Sequence, residues 1–316
     1  MVTTHRAERV ERLHRAELTL TMVNGARPAE VQITEDIVRG LLRAQCPSLA
    51  DRALAPFNNG WDNDIWALGD DLLVRLPRRE AAANLVLNEQ RTLPVLAPRL
   101  SMAVPVPVHA GKPQDVYPWH WSVVPRFAGA RAAESSLIDA EAEAVRLAQF
   151  LRELHVPAPD DAPTNVFRGG GITSRNETFE ATVDPWSTAT GGSADAARQV
   201  WRNAVNTPGW GDASVWLHGD LHAANIVVDA GHISAVIDWG DVCSGDPACD
   251  LAVAWMLFDA DARDVFFGAY GEGSPGLHDR ARGWALLFAL VYWRASEGDP
   301  LMDVMSRTVL GRVLPD

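Results

Sequence analysis

The chain has 316 residues, 47% hydrophobic and 22% charged, with a formal net charge of −13. That describes a globular protein with material for one large core or two smaller ones, not a disordered chain. The acidic balance argues against a nucleic-acid partner, whose phosphates need cationic side chains, and no apolar run is long enough to span a bilayer. Cys46, Cys243 and Cys249 form neither a C-x-x-C pair nor a disulfide framework, which fits a reducing, cytoplasmic setting.

Residues 1–30 read as an N-terminal extension, disordered or helical. The opening "MVTTHRAERVERLHRAELTLT" alternates charge without a continuous apolar segment, unlike a secretory signal, and Met22 is an alternative start. "ITEDIVRGLLRAQC" predicts a helix with Thr34 as N-cap and Glu35 and Asp36 in the first turn, where the helix dipole favours acids. Strand-like runs follow, separated by the turn clusters Asn58-Asn59-Gly60 and Gly69-Asp70-Asp71. A helix is expected from Glu80 to Leu93, ending before Pro94. Two strands, Val104–His109 and Trp121–Pro125, flank the turn Gly111-Lys112-Pro113. Beyond Arg126 the pattern turns helical. Ala140, Ala144, Leu147, Leu151 and Leu154 recur at helical spacing, and "ALLFALVYW" (285–293) is apolar nearly all round, as a buried helix is. The expectation is an α+β chain: an antiparallel sheet with one helix over 31–125, and a mainly helical part over 126–316.

The run "WLHGDLHAANIVVDAGHISAVIDWGD" (216–241) concentrates histidines, carboxylates and an asparagine. A catalytic zinc site usually takes three protein ligands with imidazole strongly represented. No second cluster of ligand-type residues accompanies the other histidines, so this reading needs distant residues to converge. A phosphoryl-transfer site needs less: oxygen donors for Mg²⁺ and a carboxylate on the attacking hydroxyl. "NIVV", "DAG" and "HISAVI" predict a β-hairpin. Pairing Val228 opposite His232 sets Asp238 level with the loop around His222, close to Asp220 and Asn225.

These motifs resemble those of the aminoglycoside phosphotransferase family, the small-molecule branch of the protein-kinase-like bilobal fold. His218-Gly219-Asp220 with Asn225 matches the spacing of the kinase catalytic loop, and Asp238 in "DWG" matches the metal-binding aspartate. The resemblance implies that Asp220 orients or deprotonates the acceptor hydroxyl and that Asn225 and Asp238 hold Mg²⁺. His218 would brace the loop, Asp246 would cap a helix, and Asp250 would tie the next helix to the loop. His222 receives no role. "FRGGG" (167–171) and "YPWHWSVVPRFAG" (117–129) are also similar to family members.

The same resemblance makes residues 31–125 the nucleotide-binding lobe and 126–316 the catalytic and substrate-binding lobe. "NNGWDND" (58–64) occupies the place of a phosphate-covering loop; Asn59, Gly60 and Asn63 suit backbone conformations that expose N–H groups to phosphate. An ordinary hairpin turn explains the same stretch. Arg75, in place of the usual lysine, would hold phosphate oxygens, with Glu89 as its partner and Glu80 as the alternative. Val123 and Val124 fall in a hinge, Trp121–Arg126, that would meet the purine of ATP or GTP.

The expected activity is transfer of the γ-phosphoryl group to a hydroxyl of a small molecule, an antibiotic such as an aminoglycoside, by a monomer or homodimer. Residues 201–316 carry 16 acidic residues against 7 arginines and no lysine, which suits a cationic acceptor and equally a solvated surface. A macrolide, a peptide antibiotic or a small hydroxylated metabolite is the alternative acceptor. A non-catalytic nucleotide-binding protein on the same fold is the alternative of another class. Trp255, Phe258, Phe266, Phe267, Tyr270, Trp284, Tyr292 and Trp293 are divided between core packing and an acceptor pocket, with packing the better reading for most.

Overall fold

The computed structural model describes residues 29–59, 62–271 and 275–315. The extension expected over 1–30 therefore lies, as far as residue 28, outside the described residues, and so does Gly60.

Helix α1 (Glu35–Gln45) begins where the sequence places it. Thr34 is extended, and its hydroxyl accepts from the Ile37 N–H at 3.4 Å. Val38, Leu41 and Leu42, spaced to share one helical face, are buried against one face of an antiparallel sheet. That sheet comprises β1 (Leu54–Asn59), β2 (Asn63–Leu68), β3 (Leu72–Pro77), β4 (His109–Gly111) and β5 (Trp121–Pro125), in the order β1-β2-β3-β5-β4. Alternation along β3 sends Leu72, Val74 and Leu76 into the core shared with α1, and leaves Arg75 on the opposite face. On β5 the same alternation buries Trp121 and Val123 with α1.

Two elements differ from expectation. Helix α2 (Glu80–Leu96) runs through Pro94. A proline in the last turn forfeits one helical hydrogen bond, whereas continuing the helix buries Leu93 and Leu96 completely or nearly so. The strand expected at Val104–His109 is confined to His109–Gly111. Pro105 and Pro107 lack N–H donors and cannot sustain a ladder over the earlier part. Leu93, Leu96, Met102 and Val104, which all precede Arg126, pack into the larger of the two apolar cores.

The remainder is built on helices. In α3 (Ala140–Leu154), Ala144, Leu147, Leu151 and Leu154 are fully buried, as their spacing requires. Helices α4 (Asn176–Thr190) and α5 (Ala194–Asn206) pack beside α9 (Leu277–Ala295); between them in the chain lie α6 (Ala248–Leu251), α7 (Val253–Leu257) and α8 (Ala260–Tyr270). Helix α9 is buried on nearly every side and also contacts α10 (Pro300–Val313). A strand pair, β7 (Val215–Leu217) with β10 (Cys243–Gly245), lies next to a three-stranded sheet of β6 (Ala130–Arg131), β8 (Ile226–Asp229) and β9 (His232–Val236). All three cysteines are buried free thiols. No helix among the described residues is long and apolar enough to cross a membrane.

Candidate active site

The site forms where β7 and β9 run out. The segment from His218 to Asn225 leaves β7, turns through Gly219 at φ +85°, and enters β8. Asp250 holds this segment from below: its carboxylate accepts from the backbone N–H of His218 at 2.7 Å and of Gly219 at 2.9 Å, and it meets His155 Nε2 at 3.3 Å. Asp250 thus ties the short helix α6 to the loop, as the sequence led us to expect. Asp246 bonds the Ala248 N–H and forms a buried ion pair with Arg280 at 2.7 Å, a structural arrangement.

The hairpin register differs from the expected pairing of Val228 with His232. A two-residue loop, Ala230-Gly231, sets Asp229 opposite His232 and Val228 opposite Ile233, and a bulge between Val227 and Val228 shifts the register once more. The Ile237 N–H then donates to the Asn225 carbonyl at 2.9 Å. The extra residues thereby carry Asp238 up to Asn225 rather than down to His222. Asp238 adopts φ +63°, a left-handed conformation uncommon outside glycine.

Asp220, Asn225 and Asp238 are brought together. The Asn225 Nδ2 donates to the Asp220 carbonyl at 2.9 Å, which leaves the amide oxygen as an acceptor. The Asp220 carboxylate is engaged on both oxygens: Arg168 Nη2 donates to Oδ1 at 3.1 Å, and His222 Nε2 faces Oδ2 at 3.4 Å. His222 Nδ1 accepts from the Ala224 N–H at 3.2 Å, and its Nε2 faces the Asn225 Nδ2 at 3.2 Å as well as the Asp220 carboxylate. Burial pushes the Asp220 carboxyl up, but His222 and Arg168 outweigh it and hold the group well below the usual carboxylate range. Asp241 behaves oppositely: burial and the nearby Asp220 charge push it up to about 6, against the pull of Arg168 and of an Asn165 bond at 2.6 Å.

Both histidines of the zinc reading are committed elsewhere. His218 is fully buried, accepts from the Asp220 N–H at Nδ1 and donates from Nε2 to the Ile237 carbonyl at 3.0 Å. It braces the loop against the neighbouring strand, and burial pushes its pKa down, keeping it neutral. Among the described residues no group of three or more His, Cys, Asp or Glu side chains is arranged to hold a metal ion.

Across from this hairpin, Arg75 reaches Glu89 on α2 with Nη1 (2.8 and 3.0 Å) and Asp238 with Nη2 (2.9 Å). The Arg75 and Glu89 side chains are 8% and 2% exposed, whereas Asp238 is 54% exposed. One guanidinium thus joins β3, α2 and the segment after β9. Glu80, the alternative partner, is an exposed residue in the first turn of α2. The other residues expected at a nucleotide are spread along the sheet. Asn59 closes β1 opposite Asp64; Asn63 opens β2, buried, with an amide oxygen that lacks a partner among the described residues. Val123 packs in the core with α1, and Val124, also buried, is its neighbour on β5.

Four residues of the site carried no assignment from the sequence: Arg168, Asn165, Asp241 and the Asp220 contact of His222. "FRGGG" was the only signal for the first, and it marks a turn without saying what the turn faces. Most of the aromatic candidates are buried core, as expected; Tyr292 packs edge-on against His222 at 5.5 Å, and Trp293 lines a cavity of about 490 Å³ with Ala181, Pro185, Arg294, Ser296 and Glu297.

A sequence model of the Phosphotransferase enzyme family matches residues 53–284, most of the chain and all of this site. The chain belongs to that family. Among curated family members, aminoglycoside 3'-phosphotransferases of Escherichia coli and Salmonella typhimurium are 29% and 28% identical over 138 residues, 42% of this chain and 50% of each relative. The match therefore spans about half the length of those relatives. The fold of the family is seen in the GDP and kanamycin complex of APH(2")-IIia, with TM-score 0.64, 17% identity, and coverage of 86% of this chain and 96% of that one. The macrolide 2'-phosphotransferase MphH of Brachybacterium faecium superposes with TM-score 0.59, 21% identity, and coverage of 89% and 99%. The chain therefore has the kinase-like fold anticipated from its motifs, with an antiparallel sheet followed by a mainly helical part.

Proposed function

We propose that this protein transfers the γ-phosphoryl group of a nucleoside triphosphate to a hydroxyl of a small molecule, an antibiotic of the aminoglycoside or macrolide type. The observation that carries the reading is the convergence of Asp220, Asn225 and Asp238 at one end of a hairpin, facing the Arg75–Glu89 pair. Family membership and the nucleotide complexes among the similar structures support it.

The donor set fits Mg²⁺: Asp238 offers a half-exposed carboxylate and Asn225 an amide oxygen, both hard ligands. Bound there, the ion neutralises charge on the phosphates. Arg75 contributes a fixed cation to the same phosphates and moves off Asp238 to do so. Asp220 receives the acceptor hydroxyl. The acceptor oxygen forms its bond to the γ-phosphorus as the bond to the bridging oxygen breaks; the nucleoside diphosphate leaves with that electron pair, and the hydroxyl proton passes to Asp220. Held as a strongly ionised carboxylate, Asp220 orients the hydroxyl throughout and takes the proton late. The cavity of about 490 Å³ between α4 and the end of α9 is lined by none of Asp220, His222, Asn225 and Asp238, and the acceptor is not assigned to it.

The test is a phosphorylation screen of aminoglycosides, macrolides, peptide antibiotics and simple hydroxylated metabolites with ATP and GTP, for the native chain and Asp220→Ala. Mg²⁺-dependent phosphate incorporation that disappears in the variant is expected, a loss of ~10²–10⁴ in rate. Equal turnover by the variant would remove Asp220 from its role.

A further inference from the structure

Arg168 enters the mechanism above only as a charge near Asp220, yet of the side chains on the Asp220 carboxylate it is the nearest. Its Nη2 donates to Asp220 Oδ1 at 3.1 Å, Nη1 donates to the Phe167 carbonyl at 3.3 Å, and the guanidinium lies 4.7 Å over the ring of Phe288 on α9. Its Nε is buried without a hydrogen-bond partner among the described residues, as is the hydroxyl of Tyr292, one turn along α9 from Phe288.

The backbone that carries Arg168 is fixed closely. Gly169 has φ +69°, and a side chain there would strike the Ser244 carbonyl on β10 at 2.7 Å. The Asp246 N–H donates to the Gly169 carbonyl at 3.1 Å. On the other side, Asn165 accepts from the Phe167 N–H at 2.9 Å and donates to Asp241 at 2.6 Å. Since β10 pairs with β7, which leads directly into the His218–Asn225 loop, one strand pair sets the distance between Arg168 and Asp220. With His222 on the opposite oxygen, the carboxylate cannot rotate freely.

We propose that Arg168 is a positioning residue for phosphoryl transfer: braced on Phe288, its guanidinium holds the Asp220 carboxylate in the orientation that receives the acceptor hydroxyl. The inference rests on Asp220 serving that hydroxyl. Orientation of a reacting group affects the rate of transfer far more than nucleotide affinity, which separates this role from general support of the fold.

The experiment measures Mg²⁺-ATP hydrolysis, with water as acceptor, and Mg²⁺-ATP binding by calorimetry, for the native chain, Arg168→Gln, Arg168→Lys, Arg168→Ala and Asp220→Ala. Arg168→Gln is expected to lose ~10² in kcat, the order found when one preorganised donor is removed, with nucleotide affinity unchanged. Arg168→Lys keeps the charge without the fork and falls between. Arg168→Ala regains activity when guanidinium ion is added at low, non-denaturing concentration. Native kcat in Arg168→Gln beside an inactive Asp220→Ala overturns the inference alone. Rate and nucleotide affinity falling together in both the Gln and Lys variants, without rescue of the Ala variant, reduce Arg168 to a structural role and overturn it as well. Native hydrolysis by Asp220→Ala overturns the functional reading beneath it.

Discussion

Glu89→Ala isolates the buried pair on which the nucleotide side of the site depends. Removing one partner of a buried ion pair strands the other charge, at about 3–5 kcal/mol. Here Arg75 keeps Asp238 at 2.9 Å, but that carboxylate is 54% exposed and compensates only in part. A loss of roughly 2–3 kcal/mol follows, which for a chain of this size lowers Tm by about 3–5 °C. Binding should suffer for a second reason. Without Glu89, Arg75 has one remaining acid and holds Asp238 more tightly against Mg²⁺, so affinity for Mg²⁺-ATP is expected to drop ~10-fold, about 1.4 kcal/mol. Thermal unfolding and calorimetry read the two effects separately. The double variant Arg75→Met/Glu89→Leu removes both charges and should be more stable than Glu89→Ala. If Glu89→Ala melts with the native protein, or if the double variant loses the sum of its single substitutions, the pair is not the buried unit described above.

Asp238→Ala should weaken Mg²⁺-ATP binding by ~10-fold or more, since it removes the only carboxylate assigned to the ion; unchanged affinity in calorimetry contradicts the assignment. Asp250→Asn replaces an acceptor of two backbone N–H groups with one oxygen and one donor, leaving a buried group unsatisfied at about 1–3 kcal/mol; a native denaturation midpoint would refute the tie between α6 and the loop. Asp241 is pushed up to about 6 from 3.8. The folded state therefore holds that proton where the unfolded state has lost it, so this group's contribution to stability falls as pH rises from about 4 to 6 and stays low above. Asp241→Asn should flatten that slope and add up to ~3 kcal/mol at pH 7; urea unfolding across the range shows whether it does.

The site was legible in the sequence where its parts are close in the chain. His218, Asp220 and Asn225 share one loop, and their spacing alone carries the motif. The hairpin was legible too, but its register was not, because a bulge is a local choice between two nearly equal ladders that side-chain type hardly signals. Proline misled twice in opposite directions: at Pro94 burial of Leu93 and Leu96 prevailed over a lost bond, while at Pro105 and Pro107 missing donors ended a strand. Arg75 and Glu89 could be paired because the resemblance to kinases implies a basic residue on the third strand bonded to a glutamate of the next helix, with Glu80 as the alternative. Arg168 could not be paired with Asp220, since 52 residues, comprising two helices and one strand, separate them and the docking of Gly169 on β10 unites them.

The arginine at position 75 has a practical corollary for anyone surveying cells for nucleotide users with acylating reagents. Such reagents capture kinases through a nucleophilic amine beside the triphosphate, and a guanidinium offers none at workable pH. The chain's sole amine-bearing side chain, Lys112, sits at the sheet margin, where its backbone is clasped by Gln45 through two bonds of 2.8 Å. A blank in that kind of survey is expected from this missing reactivity whether or not the chain binds a nucleotide.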